Sequence, residues 1–524
     1  MRKPTLLKVP EGSRRQVSKH YSVPAPVKGL NALDSIAHMD EEYAVIMKNW
    51  WPTTKDIMVR KGWADHVTGL TAQVESLMPY IKPDGTETLF AAEGTDFFDV
   101  TSAGAVGAAV VSSLTNARWD SINYTVTSGT AYLCCFNGTD SPEYWDDSSW
   151  TAITGISTPA ITGVTTSTLK APWVHQRRLW TIQVDTLIAW YLPVDAVGGL
   201  AKSLDLSGLC KRGGHLVAGG NYTMDAGDGP DDYWYVITSE GEIVAYAGTD
   251  PTSLASWKLI GVWYVGEPIG TRPLFKFRGD ALLILREGVF PLSQALISAN
   301  TDKMKAITIN IKDTMANAAV SYNANFGWQL EFYPEANMII LNVPTKEGSL
   351  QEQYCMNAIT GAWTTFGEIS ANCWTIFNGQ PYFGSNTSVG KFWGVFNDNG
   401  NNIDTDLQQA FSYFGTQGRL KSFKLLKPYI FSDGTPTVFT DVNVDFRDEA
   451  PTGSQSFTPT TYGVWDTAQW DSAIIGGALD ITDEWQSCFG VGVSAALRMQ
   501  TASNGIELRL NSTDYVYENG GIVG

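Results

Sequence analysis

Along most of the chain the apolar residues recur in short alternating or continuous runs that turns interrupt. From Leu70 onward "TETLFAAEGTDFFDVT", "QRRLWTIQVDTLIAWYLP", "PLFKFRGDALLILREGVFPLS" and "GWQLEFYPEANMIILNVP" each pair one such run with a second across Gly, Asn or Asp. This is the sequence form of a β-hairpin. In "YWDDSSWTAI", "DPTSLASWKLIG" and "MNAITGAWTTF" a turn leads to Trp150, Trp257 or Trp363, which opens the next strand. Aromatic punctuation of that kind occurs once per blade in propellers, so the pattern predicts a mainly β fold with a degenerate β-propeller.

The two ends of the chain read differently. The first forty residues are extended and punctuated by proline ("SVPAPVKGLNALDS"), which predicts an arm that lies along something else. "MDEEYAVIMKNWW" then predicts one short helix. Asp40 would be its N-cap, Glu41 and Glu42 would suit its N-terminal end, and Tyr43, Ile46, Met47 and Trp50 share one face, with Pro52 ending it. From Asn397 "NDNGNNIDTDLQQAFSYFG" reads as a polar, solvated link. Beyond it "FKLLKPYIFSDG", "TVFTDVNVDF" and "ALRMQTASNGIELRLNSTDYVYENGG" alternate around Ser432-Asp433-Gly434 and Ser503-Asn504-Gly505, which predicts an antiparallel sandwich or barrel. The expected division is 1–75 (arm, helix and first strands), 76–400 (propeller) and 401–524 (C-terminal β domain).

Composition agrees with many short strands: charged residues are 17% of the 524, aromatic residues 12%, and there are 50 glycines. The net charge of -18 is unevenly placed, since the first 70 residues carry 11 Lys and Arg against 7 Asp and Glu. A surface so acidic repels phosphate at long range and argues against ordinary nucleic-acid binding, although DNA could still slide past it. Cys134, Cys135, Cys210, Cys355, Cys373 and Cys488 form no CxxC pair. Strand alternation would send the adjacent Cys134 and Cys135 to opposite faces, so buried, reduced thiols are expected, in keeping with assembly in a cytoplasm. "MRKPTLLKVPEGSRRQ" lacks the apolar run of a secretory signal, and "AGAVGAAVVSSL" is too short to span a bilayer.

Chemistry is sparse. The chain has no G-x-S-x-G, H-E-x-x-H, P-loop or dinucleotide fingerprint, and its five histidines are scattered. "DAGDGPDD", with Asp225, Asp228, Asp231 and Asp232, lacks the order of a calcium loop and reads as a solvated turn. A propeller glycosidase or lectin would need paired carboxylates and aromatic residues, but the repeated S-x-D-x-G-x-x-W turn of sialidase-like propellers is missing. No catalytic, cofactor or metal residue is therefore assigned. In "NWWPTTKDIMVRKGW" the bulky aromatics accompany arginine, a composition shared by interface anchors and packed cores. Trp50, Trp51, Arg60 and Trp63 are the candidates for a seam between subunits or domains.

Four segments in order resemble one family. "PAPVKGLNALDSIAHMDEEYAVIMKNWWPTTKDIMVRKGW", "LFKFRGDALLILREGVFPLSQAL", "EFYPEANMIILNVPTKEGSLQEQYCMNAITGAWTTF" and the stretch from "GVWDTAQWDSA" to "ENGGIVG" are similar to parts of the tail nozzle (tail hub, or tail tubular B-type) proteins of short-tailed bacteriophages. The resemblance touches about half of the chain and rests on order and architecture. It implies a homohexameric ring below the portal and head-to-tail adaptor, with a platform built from N- and C-terminal strands around a channel for double-stranded DNA. Tail fibres or tailspikes would attach around it, and the protein would reside in the virion tail. The competing expectation is a propeller that binds or degrades glycans, in the manner of a depolymerase; a minor capsid or neck protein is a third.

Overall fold

The computed structural model describes residues 17–522 apart from 226–229, 254, 298–304, 350, 453, 456–478 and 483. It is mainly β, with antiparallel meanders of three or four short strands following one another along the chain. Each meander begins with an inner strand: Val74–Ile81, Asp120–Thr125, Leu169–His175, Leu216–Asp225, Leu274–Phe277, Gln329–Tyr333 and Cys373–Phe377. Each inner strand contacts the next, and the last contacts the first, so the seven sheets close into a seven-bladed propeller.

Closure uses the two ends of the propeller's own sequence. Gly62–Thr68 pairs antiparallel with Ser388–Val395, so an N-terminal strand completes the seventh blade. Between blades the packing is apolar and strongly aromatic. Trp173, Trp180, Trp234 and Trp257 are buried together where the third blade meets the fourth. Cys135 packs between the first and second blades and Cys134 between the second and third, the opposite faces that strand alternation requires. All six thiols are free and buried.

The remaining segments form a two-sheet platform. In the seven-stranded sheet the long strands Arg419–Ser432 and Leu508–Ile522 lie side by side, with Ser18–Pro24 pairing along Ser512–Glu518. The N-terminal arm thus lies along the chain's own C-terminal strand. The second sheet joins Tyr43–Lys48, Ile403–Gln409, Ala495–Ser503 and Thr437–Val444. Between the two sheets lies the largest core, with Met47, Trp50, Leu407, Phe423, Leu426, Leu497, Leu510 and Tyr515. The predicted turns at Ser432-Asp433-Gly434 and Ser503-Asn504-Gly505 join strands as expected.

This second sheet does not stop at the platform. Gly29 and Lys48 pair in parallel with Trp363 and Thr365, the outer strand of the sixth blade, so ten strands run without a break from propeller to platform. Gly29 has φ of +80°, and a Cβ there would sit 2.4 Å from the Trp363 carbonyl oxygen, so only glycine admits this junction.

The helix predicted over "MDEEYAVIMKNWW" is absent: Tyr43–Lys48 and Trp50–Pro52 are strands. A bulge between Ala44 and Ile46 and the left-handed backbone of Asn49 (φ 60°) interrupt simple alternation. Ala44, Met47 and Trp50 are consequently buried at a spacing of three that imitates a helical stripe. Asp40 caps nothing; its carboxylate accepts from the Glu42 N–H and pairs with Lys28. "DAGDGPDD" and "GVWDTAQWDSA" fall on parts the description omits: the side chains of Asp225, Asp231 and Asp232, all of Asp228 and residues 463–473 lie outside the described residues.

Candidate functional site

The seam between propeller and platform is organised around Arg60, which follows the strand Ile57–Val59 and is fully buried. Its guanidinium donates from Nη1 and Nη2 to the two carboxylate oxygens of Asp398, at 2.8 and 2.6 Å. Nε donates to Asn49 Oδ1 at 2.9 Å, and Nη2 also donates to the Gly367 carbonyl at 3.0 Å. Asn49 extends the network by donating from Nδ2 to the Asp404 carbonyl at 2.7 Å and accepting from the Gly367 N–H. One cation thus ties the N-terminal strands to the ends of the sixth and seventh blades and to the platform's entry. A buried charge survives only with this degree of compensation. The loop "NDNGNNIDTD" is therefore not simply a solvated link: Asp398 is buried within it.

The tryptophans of the opening stretch divide between two cores. Trp50 is buried between the platform sheets. Trp51 packs across the seam, edge-on to Trp393 of the seventh blade at 5.8 Å and tilted against Phe366 of the sixth at 6.2 Å. Trp63 is partly buried and meets Phe383 edge-on at 5.3 Å. Because Trp50, Trp51 and Arg60 are buried within one chain, none of the three offers a surface to another subunit. The seam that Arg60 and Trp51 hold is internal, and an aromatic and arginine composition does not distinguish the two cases.

The second feature is an axial channel of roughly 440 Å³ lined by all seven inner strands. Its wall is tied together by side chains on those strands. Asn123 donates to the Pro79 carbonyl at 2.8 Å, Asn221 to that of Val174 at 3.0 Å and Gln329 to that of Trp374 at 2.8 Å, each crossing from one blade to a neighbour. Arg272 reaches furthest, donating to Asp120 Oδ1 at 3.0 Å, Ser76 Oγ at 2.7 Å and the Trp119 carbonyl at 2.7 Å. These polar residues went unrecognised in the sequence. Their only signal there is an amide or arginine beside an otherwise apolar inner strand.

Among the described residues no group of three or more His, Cys, Asp or Glu is placed to hold a metal ion, and no helix is long and apolar enough to cross a membrane. Burial pushes the Glu143 carboxyl in the second blade up to about 7, with nearby Asp140 adding to the effect.

No protein-family model matches the chain, and no curated protein matches it. Among solved structures it is similar to the extracellular domain of the putative one-component system BT4673 from B. thetaiotaomicron, at 10% identity over 65% of this chain, with a TM-score of 0.40. The chain spans only 41% of the length of that domain's chain. It is also similar to BBS1N, solved in complex with ARL6DN, at 10% identity over 64% of this chain and 97% of that one, with a TM-score of 0.38. YCF48 from Cyanidioschyzon merolae matches at 11% identity over 63% of this chain and 98% of that one, with a TM-score of 0.36. Identities this low concern the fold alone, and the propeller assignment rests on the cyclic contacts of the inner strands.

Proposed function

We propose that this chain is a tail nozzle protein of a short-tailed bacteriophage, a structural virion component that continues the DNA channel below the portal and adaptor. The observation that carries the reading is the platform. Segments from both ends of the chain fold together, Ser18–Pro24 along Ser512–Glu518, while the propeller is inserted between them. That is the division of labour implied by the four sequence segments in their order. In this reading six copies form a ring, the adaptor and the fibres or tailspikes bind its faces, and double-stranded DNA passes without sequence-specific contact. The net charge of -18 supports passage without adhesion, since an acidic protein repels phosphate at long range.

Electron microscopy of the purified protein and of virions tests the proposal. Sixfold rings at the tail end are expected. A chain that stays monomeric at all concentrations and is missing from virions would sink it.

A further inference from the structure

The outer edges of the blades are not equally protected. In the first, second, third and fifth blades the outer strand, Asp96–Asp99, Trp150–Ala152, Lys202–Asp205 or Gly288–Pro291, has only three or four residues. The sixth blade's outer strand pairs with Gly29 and Lys48, and the seventh's with Gly104–Ala105. The fourth blade differs. Its outer strand, Lys258–Tyr264, runs for 7 residues and ends its sheet, with no strand beyond it among the described residues. Val265 donates its N–H inward to the Gly241 carbonyl, so the alternation of antiparallel pairs turns the N–H and C=O of Val262 and Tyr264 outward, where no described residue meets them. The side chains of this edge are apolar: Leu259, Ile260, Val262 and Tyr264 are between 38% and 48% exposed. A bulge at Ile260 interrupts the strand and leaves residues 261–264 regular. The strand contains no proline, and Lys258 is its one charged residue.

We propose that this edge receives an extended segment of a partner protein, which adds a fifth strand to the four of this blade. Natural sheets blunt their edges with short strands, charges, prolines or covers, whereas proteins that bind peptides by strand addition keep one open. Main-chain hydrogen bonds to Val262 and Tyr264 hold the segment, and its apolar side chains meet theirs across the new pair. Charge identifies its ends. Lys258 stands at one end of the strand. At the other end Glu242 is paired with Tyr264 and accepts the backbone N–H groups of Lys211 and Arg212, and the Arg212 guanidinium lies 3.6 Å from the centre of the Tyr264 ring. None of these three cations forms an ion pair among the described residues, in a chain whose 54 acidic residues outnumber its 36 Lys and Arg. The segment that fits is therefore apolar in its middle and carries a carboxylate near each end. The inference concerns one blade of a single chain and stands whether or not the protein is a nozzle component.

Fluorescence anisotropy of the labelled peptide acetyl-EVTVTVE-amide, titrated with the full-length protein, tests the proposal, and amide hydrogen exchange locates the contact. Saturable binding is expected, together with slower exchange of the Val262 and Tyr264 amides. The same peptide N-methylated throughout should not bind, because strand addition needs its main-chain N–H groups. Replacing its glutamates by lysines should weaken binding about fivefold or more, since two exposed ion pairs give way to repulsion. Val262→Pro removes an outward N–H and no hydrogen bond within the blade, so it should abolish binding while the blade stays folded. Should that variant fold poorly, Arg212→Glu combined with Lys258→Glu gives a second test, because it should reverse the preference between the acidic and basic peptides. Absence of saturable binding, binding that N-methylation leaves unmoved, or protection confined to other strands overturns the proposal. So does peptide-free protein that associates with its own copies as its concentration rises and protects Val262 and Tyr264 in doing so, since the edge would then belong to a second copy.

Discussion

Arg60 and Asp398 are 338 residues apart in sequence and meet through two parallel hydrogen bonds in the seam between propeller and platform, both side chains buried. Breaking such a pair from one side leaves the other charge buried and uncompensated, which costs about 3–5 kcal/mol. Asp398→Ala should therefore lower the unfolding free energy by about that much in urea titration. The double variant Arg60→Met with Asp398→Leu should recover most of it. A single variant as stable as the unaltered protein would show that the ion pair is not structural.

Gly62 begins the strand that closes the propeller, and a Cβ there would lie 1.8 Å from the Asn397 carbonyl oxygen. No side chain can rotate away from that contact, because both partners are backbone. Gly62→Ala should loosen the pairing of Gly62–Thr68 with Ser388–Val395. Faster amide hydrogen exchange in the seventh blade is the expected signature, and unchanged protection there would refute the account.

Stability should fall as pH rises from the ordinary glutamate range toward 7. Glu143 has a folded-state carboxyl pushed up to about 7 by burial, well above the ordinary glutamate range. The folded state therefore holds a proton that the unfolded state releases, and the stabilisation is complete only below the unfolded value. It is lost as pH climbs toward 7, and the penalty levels off above that. The effect is on the order of 2–3 kcal/mol for a shift of this size. Thermal melting across this range should show the decline, and Glu143→Gln should flatten part of it.

The thiols provide a probe of intactness. Burial pushes Cys210 up to about 11 and Cys373 and Cys488 up to about 12, so thiolate is scarce at neutral pH. A thiol reagent should find essentially no reactive cysteine in the native protein and all 6 after denaturation. Rapid native labelling of Cys134 or Cys135 would contradict the packing between blades.

Most strands were legible in the sequence because alternation and turn residues are local properties. Trp150 and Trp363 open strands as read, whereas Trp257 stands just before one, Lys258–Tyr264. The stretch at Tyr43–Trp50 was misread because a bulge and a left-handed asparagine shift its buried positions into helical spacing, and only the partners at Gln409 and Asp406 reveal a strand. The number of blades was not legible either, since it depends on which inner strands touch. The seam and channel were seen in part. Arg60 and the tryptophans stood out by type, whereas Asp398, Asn49, Asn123, Asn221 and Arg272 matter through partners far away in sequence, which no local pattern encodes.

The strand that completes the seventh blade has a consequence for biosynthesis. Gly62–Thr68 leaves the ribosome more than three hundred residues before its partner Ser388–Val395, and Ser18–Pro24 waits still longer for Ser512–Glu518. Individual blades can form hairpins as they emerge. The ring cannot close before Ser388–Val395 has emerged, nor the platform before Ser512–Glu518, so the nascent chain must until then keep two unpaired strands from engaging wrong edges, its own or a neighbour's.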